Sequence, residues 1–396
     1  MSVLSDPNTY PRPDAGWTRE IAVLKDALVV PPEKSGTVQT CGVYDKDGSW
    51  CGHGATWRGT KRMTDPVDEP PKAVEKLAGR HLFAGQIWAH FGHWMCESMA
   101  RFWAYDHTEK PDSLLYIVKR PQRQATVHGF QQSFLDLLGI DIPITILREP
   151  TEVEELIVPG QGFGLGPIIE GTPEFHDFMW KRLRQGPRPD GARKLYISRS
   201  ALGGSMGGII LEDLLEKNLE ANGYRIYHPQ KHSLAEQVEA YRAADLILGA
   251  DGSAFHLVGF VATPEQKIGV VFRRNSNVAR GLLHHIGGFT GRTADEINTL
   301  ATDWVPVGGG RANRNSFGQL DFEVLKERLV ELGYLDADAP WEVPSWRQQK
   351  TAALAIAKRR GLELVSMRQR QREARLARLA AERAARDAEG EGEAET

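Results

Sequence analysis

Residues 244–262, ADLILGADGSAFHLVGFVA, run from an apolar segment through a glycine-containing turn into a second apolar segment. Asp245–Gly249 has the length of a buried strand, and Ser253–Ala262 that of a buried helix. The segments on either side repeat this alternation, with predicted strands at Lys194–Ser198, Tyr224–Tyr227 and Lys267–Phe272 and predicted helices at Leu211–Asn222 and Ser233–Arg242. The short spacing predicts parallel strands joined by right-handed crossovers, in a Rossmann-like unit that binds ligands at the carboxyl ends of its strands.

The first half of the chain also alternates strands and helices, which predicts an α/β fold overall. Its predicted strands are Ile21–Leu24, Ala27–Val30, Leu114–Val118, Ile144–Leu147 and Leu156–Val158, and its predicted helices cover 92–106 and 122–139. A Pro- and Gly-rich break, QGPRPDGAR at 185–193, is typical of a linker. We therefore expect two facing α/β domains, at 1–185 and 186–345, followed by a charged helical tail at 346–396 with a frayed end.

The tail is rich in Ala, Arg and Glu, and from Lys358 to Asp387 it carries ten basic and four acidic residues. This composition predicts a helix to about Asp387 that has little apolar surface to bury. We expect the tail to complete no core and to be dispensable for chemistry. A solvated helix, a coiled coil with a partner and docking on an anionic membrane surface remain open.

Overall composition excludes several classes of protein. The chain has 396 residues and a net charge of -3, whereas a general nucleic-acid-binding protein usually has a basic excess. No apolar stretch is long enough to cross a membrane, and the N-terminus lacks the pattern of a signal peptide. Three cysteines form no disulfide framework and fit a reducing compartment. These features predict a cytoplasmic enzyme or binding protein.

The first chemical candidate lies in FGHWMCESMARFWAYD, residues 91–106. On a helix, His93, Glu97 and Arg101 share one face, at intervals of four residues. Glu97 could orient the His93 imidazole as a base toward a hydroxyl, and Arg101 could keep Glu97 ionised. A buried structural ladder of polar side chains would have the same spacing. So would a His–Glu metal pair, for which only His81 and His90 lie near enough in sequence to supply a third ligand.

The second candidate is a pair of strand ends in the Rossmann-like unit. Arg199 follows the strand Lys194–Ser198, where a guanidinium can bind a diphosphate. Gly252 and Ser253 precede an apolar helix, whose N-terminal amides favour an anion. Asp251 could cap this helix or bind a sugar hydroxyl, and His256 could be either a ligand-binding or a core histidine. Weaker phosphate candidates are Arg273, Arg274 and a glycine loop that contains Gly203, Gly204, Gly207 and Gly208.

These blocks, in this order, resemble glycosyltransferase family 61, whose bacterial members are often capsular polysaccharide biosynthesis proteins. The similarity covers about half of the chain, roughly residues 85–275. The matching residues are Gly92-His93-Trp94 with Glu97 and Arg101, Ser198-Arg199, Glu236-Gln237, Ala244-Asp245 and Gly252-Ser253. The resemblance implies the GT-B architecture of two facing Rossmann-like domains. It also implies inverting transfer from a nucleotide-sugar donor to a glycan or lipid-linked acceptor, with no cofactor and no essential metal.

The residues and the resemblance together assign roles at the site. His93 and Glu97 are the predicted catalytic residues, and the predicted substrate-binding residues are Arg101, Arg199, Glu236, Asp251, Gly252, Ser253 and His256. We expect synthesis of a surface polysaccharide at the inner face of the membrane, with peripheral contact through the basic C-terminal helix. Two alternatives remain. A nucleotide-sugar epimerase or isomerase would act on the donor alone, and a non-catalytic scaffold would bind partners without His93 or Arg199.

Overall fold

The computed structural model describes residues 6–14, 16–124, 126–203, 206–308 and 311–394. In the first half the helices are α1 (Phe91–His93), α2 (Gly129–Leu137) and α3 (Pro173–Leu183). The strands of this half are β1 (Ile21–Val30), β2 (Gln39–Thr40), β3 (Gly42–Tyr44), β4 (Trp57–Arg58), β5 (Lys61–Arg62), β6 (Thr64–Asp65), β7 (Glu75–Ile87), β8 (Ser113–Val118), β9 (Ile144–Leu147) and β10 (Thr151–Pro159).

A mixed sheet organises this half, in the strand order β3-β1-β10-β7-β8-β9. Strands β10, β7, β8 and β9 run parallel, whereas β1 pairs antiparallel with β10 and β3. Every residue of β8, SLLYIV, is buried, as expected for a central parallel strand covered on both faces. Because β7 and β8 are parallel neighbours, the loops that follow them leave the same edge of the sheet side by side.

The predicted Rossmann-like unit is confirmed, with one strand more than the sequence indicated. Its elements are β11 (Lys194–Ile197), α4 (Glu212–Glu220), β12 (Arg225–Tyr227), α5 (Leu234–Ala243), β13 (Leu246–Ala250), α6 (Ala254–Val261), β14 (Lys267–Val271), α7 (Val278–Thr290) and the additional strand β15 (Asp295–Ile297). All pairings are parallel, in the order β12-β11-β13-β14-β15. The order reverses between β11 and β13, and such a switch point opens a crevice at the carboxyl ends of those two strands.

The two halves share a hydrophobic core. Helix α6, AFHLVGFV, is buried from Phe255 to Val261, and it packs against α3, α5, α7 and the turn at 94–98. Phe163 of the first half meets Phe260 of α6 edge to face, with ring centroids 5.2 Å apart. This packing holds α6 and the loop before it against the turn at 94–98, which directly follows His93.

The predicted helix at 92–106 is wrong as a continuous helix. Residues Trp94–Ser98 form a π-helical turn after α1, and Phe102–Asp106 form a 3-10 turn. Tertiary contacts interrupt the ladder, because the Ala100 carbonyl accepts from the Gly162 amide and the Arg101 side chain binds carbonyls elsewhere. The predicted helix at 122–139 is likewise shorter, since α2 begins only at Gly129.

The segment after residue 345 was expected to complete no core, and this prediction is wrong. The elements of the C-terminal region are β16 (Leu300–Pro306), β17 (Phe317–Leu320), α8 (Phe322–Glu331), α9 (Trp346–Arg360), β18 (Leu364–Ser366) and α10 (Met367–Ala394). Strand β18 pairs antiparallel with β16, and α9 buries Ala353 and Ala357. Ala353, Ala357 and Leu364 pack together against three residues of the preceding chain, Ile210, Trp304 and Phe317. Only α10 has the charged, exposed character expected of the tail.

No helix within the described residues combines the length and the apolar character needed to span a bilayer.

Candidate active site

His93 and Glu97 form the pair that the sequence predicted. Nδ1 of His93 lies 2.6 Å from Oε2 of Glu97. The Glu97 side chain is 2% exposed and that of His93 is 31% exposed, so the carboxylate is buried beneath an accessible imidazole. A carboxylate only accepts hydrogen bonds, so Nδ1 carries the proton and the lone pair remains on Nε2. This is the tautomer that can accept a proton from a hydroxyl.

Arg58, on strand β4, holds Glu97 from the other side. Its Nη2 donates to both carboxylate oxygens, at 2.8 and 2.9 Å, and its Nε donates at 3.1 Å. This contact gives Glu97 the cation that the sequence interpretation assigned to Arg101. Nothing in the sequence around Arg58 indicates the pairing, because 39 residues separate the two side chains.

Arg101, predicted to bind substrate, is not among the residues that line either cavity described below. Its side chain is fully buried, and its guanidinium donates to the carbonyls of Pro159, His53 and Ala55 at 2.6–3.0 Å. Arg101 therefore joins three backbone segments beneath the site and presents no surface to a substrate. Burial lowers its pKa to about 10.

The His93 ring lies on an aromatic support at the edge of the first sheet. It stacks on Trp88, with ring centroids 4.5 Å apart and planes 25° apart, and the His90 ring lies 5.1 Å away. Trp88, Ala89 and His90 directly follow β7, so the carboxyl edge of this sheet carries the support. His93 lines a cavity of about 390 Å³ at this edge.

A second cavity, of about 630 Å³, lies at the switch point of the second sheet. Arg199 follows β11 and Gly252-Ser253 follows β13, and all three line this cavity. Ala89 and His90 line both cavities. The proposed base and the proposed phosphate-binding residues thus belong to adjoining cavities that meet at His90, a residue to which the sequence interpretation gave no substrate role.

The backbone amide and the guanidinium of Arg199 each donate a hydrogen bond to the protein. Its amide donates to Oε1 of Glu212 at 2.8 Å, and its Nη2 donates to the Gly207 carbonyl at 3.2 Å. A Cβ on residue 252 would lie 2.7 Å from Nη1 of Arg199, so a side chain at this position would displace the guanidinium where it crosses this loop. Burial lowers the pKa of Arg199. Gly204 lies outside the described residues.

Asp251 and His256 were expected to bind substrate, but neither is among the residues that line the two cavities. Asp251 is fully buried, accepts from the Arg273 amide at 3.0 Å, and lies 3.5 and 3.4 Å from Nε of Arg273 and Arg274. Its carboxylate offsets these cations beneath the loop. Burial lowers the pKa of Arg273 to about 9.

His256 is a core histidine, as the structural alternative held. Its Nδ1 lies 3.0 Å from Nδ1 of His285, and its Nε2 lies 3.4 Å from the sulfur of Cys96. Glu236 likewise has a structural task, because its carboxylate accepts from the amide and the hydroxyl of Ser233 at the start of α5. This is the capping box that the sequence predicted, and it uses the side chain expected to bind substrate.

The alternative of a His93–Glu97 metal pair needs a third ligand, for which the sequence offers His81 or His90. His81 binds the Ser113 hydroxyl through Nδ1 at 2.8 Å and the Ala78 carbonyl through Nε2 at 2.9 Å. Within the part of the chain that the structure describes, no three His, Cys, Asp or Glu side chains converge as metal ligands.

Residues 91–269 match the family model described as Glycosyltransferase 61. The match begins at Phe91 and ends within β14, so it includes His93, Arg199 and Gly252-Ser253, whereas Trp88, Ala89 and His90 precede it. It confirms the family expected from the ordered sequence blocks. No curated protein matches the chain at a significant level.

Proposed function

We propose that this protein, which belongs to glycosyltransferase family 61, is an inverting transferase that moves a sugar from a nucleotide diphosphate to a hydroxyl. The proposal rests on one observation, which is that the two cavities adjoin each other. An oriented imidazole lines one, a half-buried arginine and a helix N-terminus line the other, and both cavities include Ala89 and His90. A base and an activated donor need this proximity for direct transfer.

The larger cavity is the proposed donor site. Its volume of about 630 Å³ lies within the usual range for small-molecule sites. Arg199 supplies a cation for the diphosphate. At the start of α6 the Phe255 and His256 amides bond the carbonyls of Gly252 and Ser253. The Ser253 and Ala254 amides precede these bonds, so they can donate to the same phosphates. Because arginine and amides can take up the negative charge, we propose that transfer needs no divalent metal.

His93 is the proposed general base. Nε2 takes the proton of the acceptor hydroxyl while its oxygen attacks the anomeric carbon from the face opposite the diphosphate. The bond between the anomeric carbon and the phosphate oxygen breaks, and the electron pair leaves with the diphosphate. Glu97 stabilises the imidazolium that forms, and Arg58 keeps Glu97 ionised and in position. Arg199 and the α6 amides stabilise the leaving group, which is the usual electrostatic role of such donors.

The wider assignment is part of the same proposal. We place two facing domains of GT-B type at 1–185 and 186–345, a view supported by one sheet in each half and by cavities at their carboxyl edges. The acceptor is a glycan or a lipid-linked sugar of a surface polysaccharide such as a capsule. The reaction takes place in the cytoplasm at the inner membrane face, and the basic helix α10 supports contact with anionic lipid.

Calorimetry with a panel of nucleoside diphosphates and nucleotide sugars tests the donor site. One nucleoside diphosphate should bind, and Arg199→Ala should weaken it by about 1.5–3 kcal/mol, the usual value of a charge-assisted hydrogen bond. Arg347→Ala, at an exposed position on α9, is the matched control and should leave the affinity unchanged. Transfer should continue in a chelator. Unchanged affinity in Arg199→Ala, or loss of transfer that a divalent cation restores, would overturn this part of the proposal.

A further inference from the structure

The cavity that His93 lines has a strongly basic wall. Lys119, Arg120, Arg123 and Arg314 contribute to it, and no Asp or Glu is among its lining residues in the described chain. Lys119, Arg120 and Arg123 follow β8, whose carboxyl end lies beside that of β7. Arg314 comes from the loop between β16 and β17, so both halves of the molecule supply cations to one small space. We call these four residues the basic wall.

The cations of the basic wall are not neutralised by the protein. Among the described residues, none of the four forms an ion pair with a carboxylate, whereas Arg58 nearby pairs with Glu97. Lys119 is the most buried of them, at 7% exposed, and its ammonium has one carbonyl contact, to Thr37 at 3.3 Å. An ammonium can donate three hydrogen bonds, so this group is poised to bind an additional acceptor.

Lys119 of the basic wall and the adjacent His90 both have lowered pKa values. Burial lowers the pKa of Lys119 to about 8. Burial also lowers the pKa of His90, and the charge of Arg314 adds to this effect. Several cations around a cavity of about 390 Å³ repel one another, and an anion inside it would relieve that repulsion. A neutral ligand would leave it in place.

We infer that the acceptor is an anionic sugar, whose carboxylate or phosphate contacts the basic wall while its hydroxyl faces His93. This inference rests on the proposed function, because it places the acceptor in the His93 cavity. The donor diphosphate already has Arg199 and the α6 amides in the adjoining cavity, so the basic wall serves a second anion. The chemistry required is a negative charge near the accepting hydroxyl, from either a uronic acid or a sugar phosphate.

Calorimetry with three matched probes tests the inference without requiring turnover. The probes are methyl glucoside, methyl glucuronide and methyl glucoside 6-phosphate. The wild-type protein should bind at least one charged probe about tenfold more tightly than the neutral one, and the stronger of the two identifies carboxylate or phosphate. The double variant Arg120→Ala/Arg123→Ala should lose most of this preference. Both positions are exposed, so folding should be unaffected, and Arg375→Ala on α10 is the matched control.

The outcomes separate this inference from the proposed function. Nucleoside diphosphate affinity should be the same in the double variant and in the wild type. If it falls in the double variant, the basic wall belongs to the donor and the inference is wrong. Equal binding of all three probes, or an unchanged preference in the double variant, also overturns it while leaving the transferase intact. Failure of the nucleotide panel, by contrast, counts against the donor site alone, because the probes bind in the other cavity.

Discussion

Gly92 lies directly against Ser253, although 160 residues separate them in the chain. A Cβ on Gly92 would be 2.7 Å from Oγ of Ser253 and 3.2 Å from its Cβ. The turn that carries the proposed base is therefore in close contact with the loop that forms part of the proposed donor site. This contact sets the distance between the two cavities, because both segments are otherwise held by buried neighbours such as Trp94 and Phe255.

Gly92→Ala should separate these segments slightly and lower turnover about tenfold or more, because small errors in position are costly for a reaction between two bound groups. The melting temperature should fall by only a few degrees, since the nearest contact is a hydroxyl that can rotate. Ser253→Ala removes that hydroxyl. The effect of Gly92→Ala should therefore be smaller in a Ser253→Ala background, a coupling that a double-mutant cycle measures. Additive effects would show that the contact does not position the site.

The two parts of the C-terminal region should differ in a truncation experiment. A chain that ends at Ala374 keeps α9, β18 and the start of α10, and it should fold and retain activity. A chain that ends at Ser345 exposes Ile210, Trp304 and Phe317, at a cost of at least about 3 kcal/mol in unfolding free energy. Urea denaturation of both proteins measures the difference. Equal stability would show that α9 and β18 contribute no core.

The fold of the second half could be predicted closely because its signals are local. Each strand of the Rossmann-like unit is a short apolar run ended by a turn, and Ser233 with Glu236 marks a helix start within four residues. The region 92–106 could not be predicted in this way. Its apolar residues suit a buried helix, but the carbonyls bound by Arg101 and the bond from Gly162 come from distant segments and break the helix into turns.

The part of the candidate site that the sequence could indicate is likewise the part that depends on residues close together in the chain. His93 and Glu97 lie four residues apart, so the sequence contains their relationship. Arg58 and Trp88 reach the site through tertiary packing, and no spacing indicates them. The structure buries Arg101, Asp251 and His256, which the sequence could not indicate, because a polar residue in a motif can either contact substrate or support the fold. Only their partners distinguish these roles.

The buried histidine pair should make stability fall in acid. Burial lowers the pKa of His256 to about 4 and also lowers that of His285, so the unfolded chain takes up protons first as pH falls below about 6.5. The unfolding free energy should therefore be highest above pH 6.5 and decrease toward pH 4, with His256 contributing up to about 3 kcal/mol.

Urea denaturation between pH 7 and pH 4.5 measures this slope. His256→Gln should give a shallower slope than the wild-type protein, and His284→Gln, at an exposed position, should match the wild type. Parallel slopes for His256→Gln and the wild type would rule out this histidine as the source.

Arg58→Gln should lower turnover by roughly 10–100-fold, as loss of a supporting contact commonly does. Without the arginine, Glu97 loses the cation that holds its carboxylate in position, so the imidazole is less well oriented. The loss should appear in kcat with KM for the donor unchanged, a split that a purely structural role would not cause. Donor affinity should stay the same. Arg62→Gln is the matched control, since Arg62 pairs with Asp65 outside the site. Native turnover per folded molecule in Arg58→Gln, with lower stability, would limit Arg58 to a structural role.

The central claim is that His93 is the general base, and the most direct test is turnover per folded molecule in His93→Ala. We expect a loss of about 10²–10⁴-fold, the usual contribution of general-base catalysis. Nucleoside diphosphate affinity and melting temperature should remain close to wild type, added imidazole should restore part of the rate, and the exposed control His284→Ala should be fully active. Native turnover in folded His93→Ala would contradict the account and transfer the role of base to Glu97 or His90.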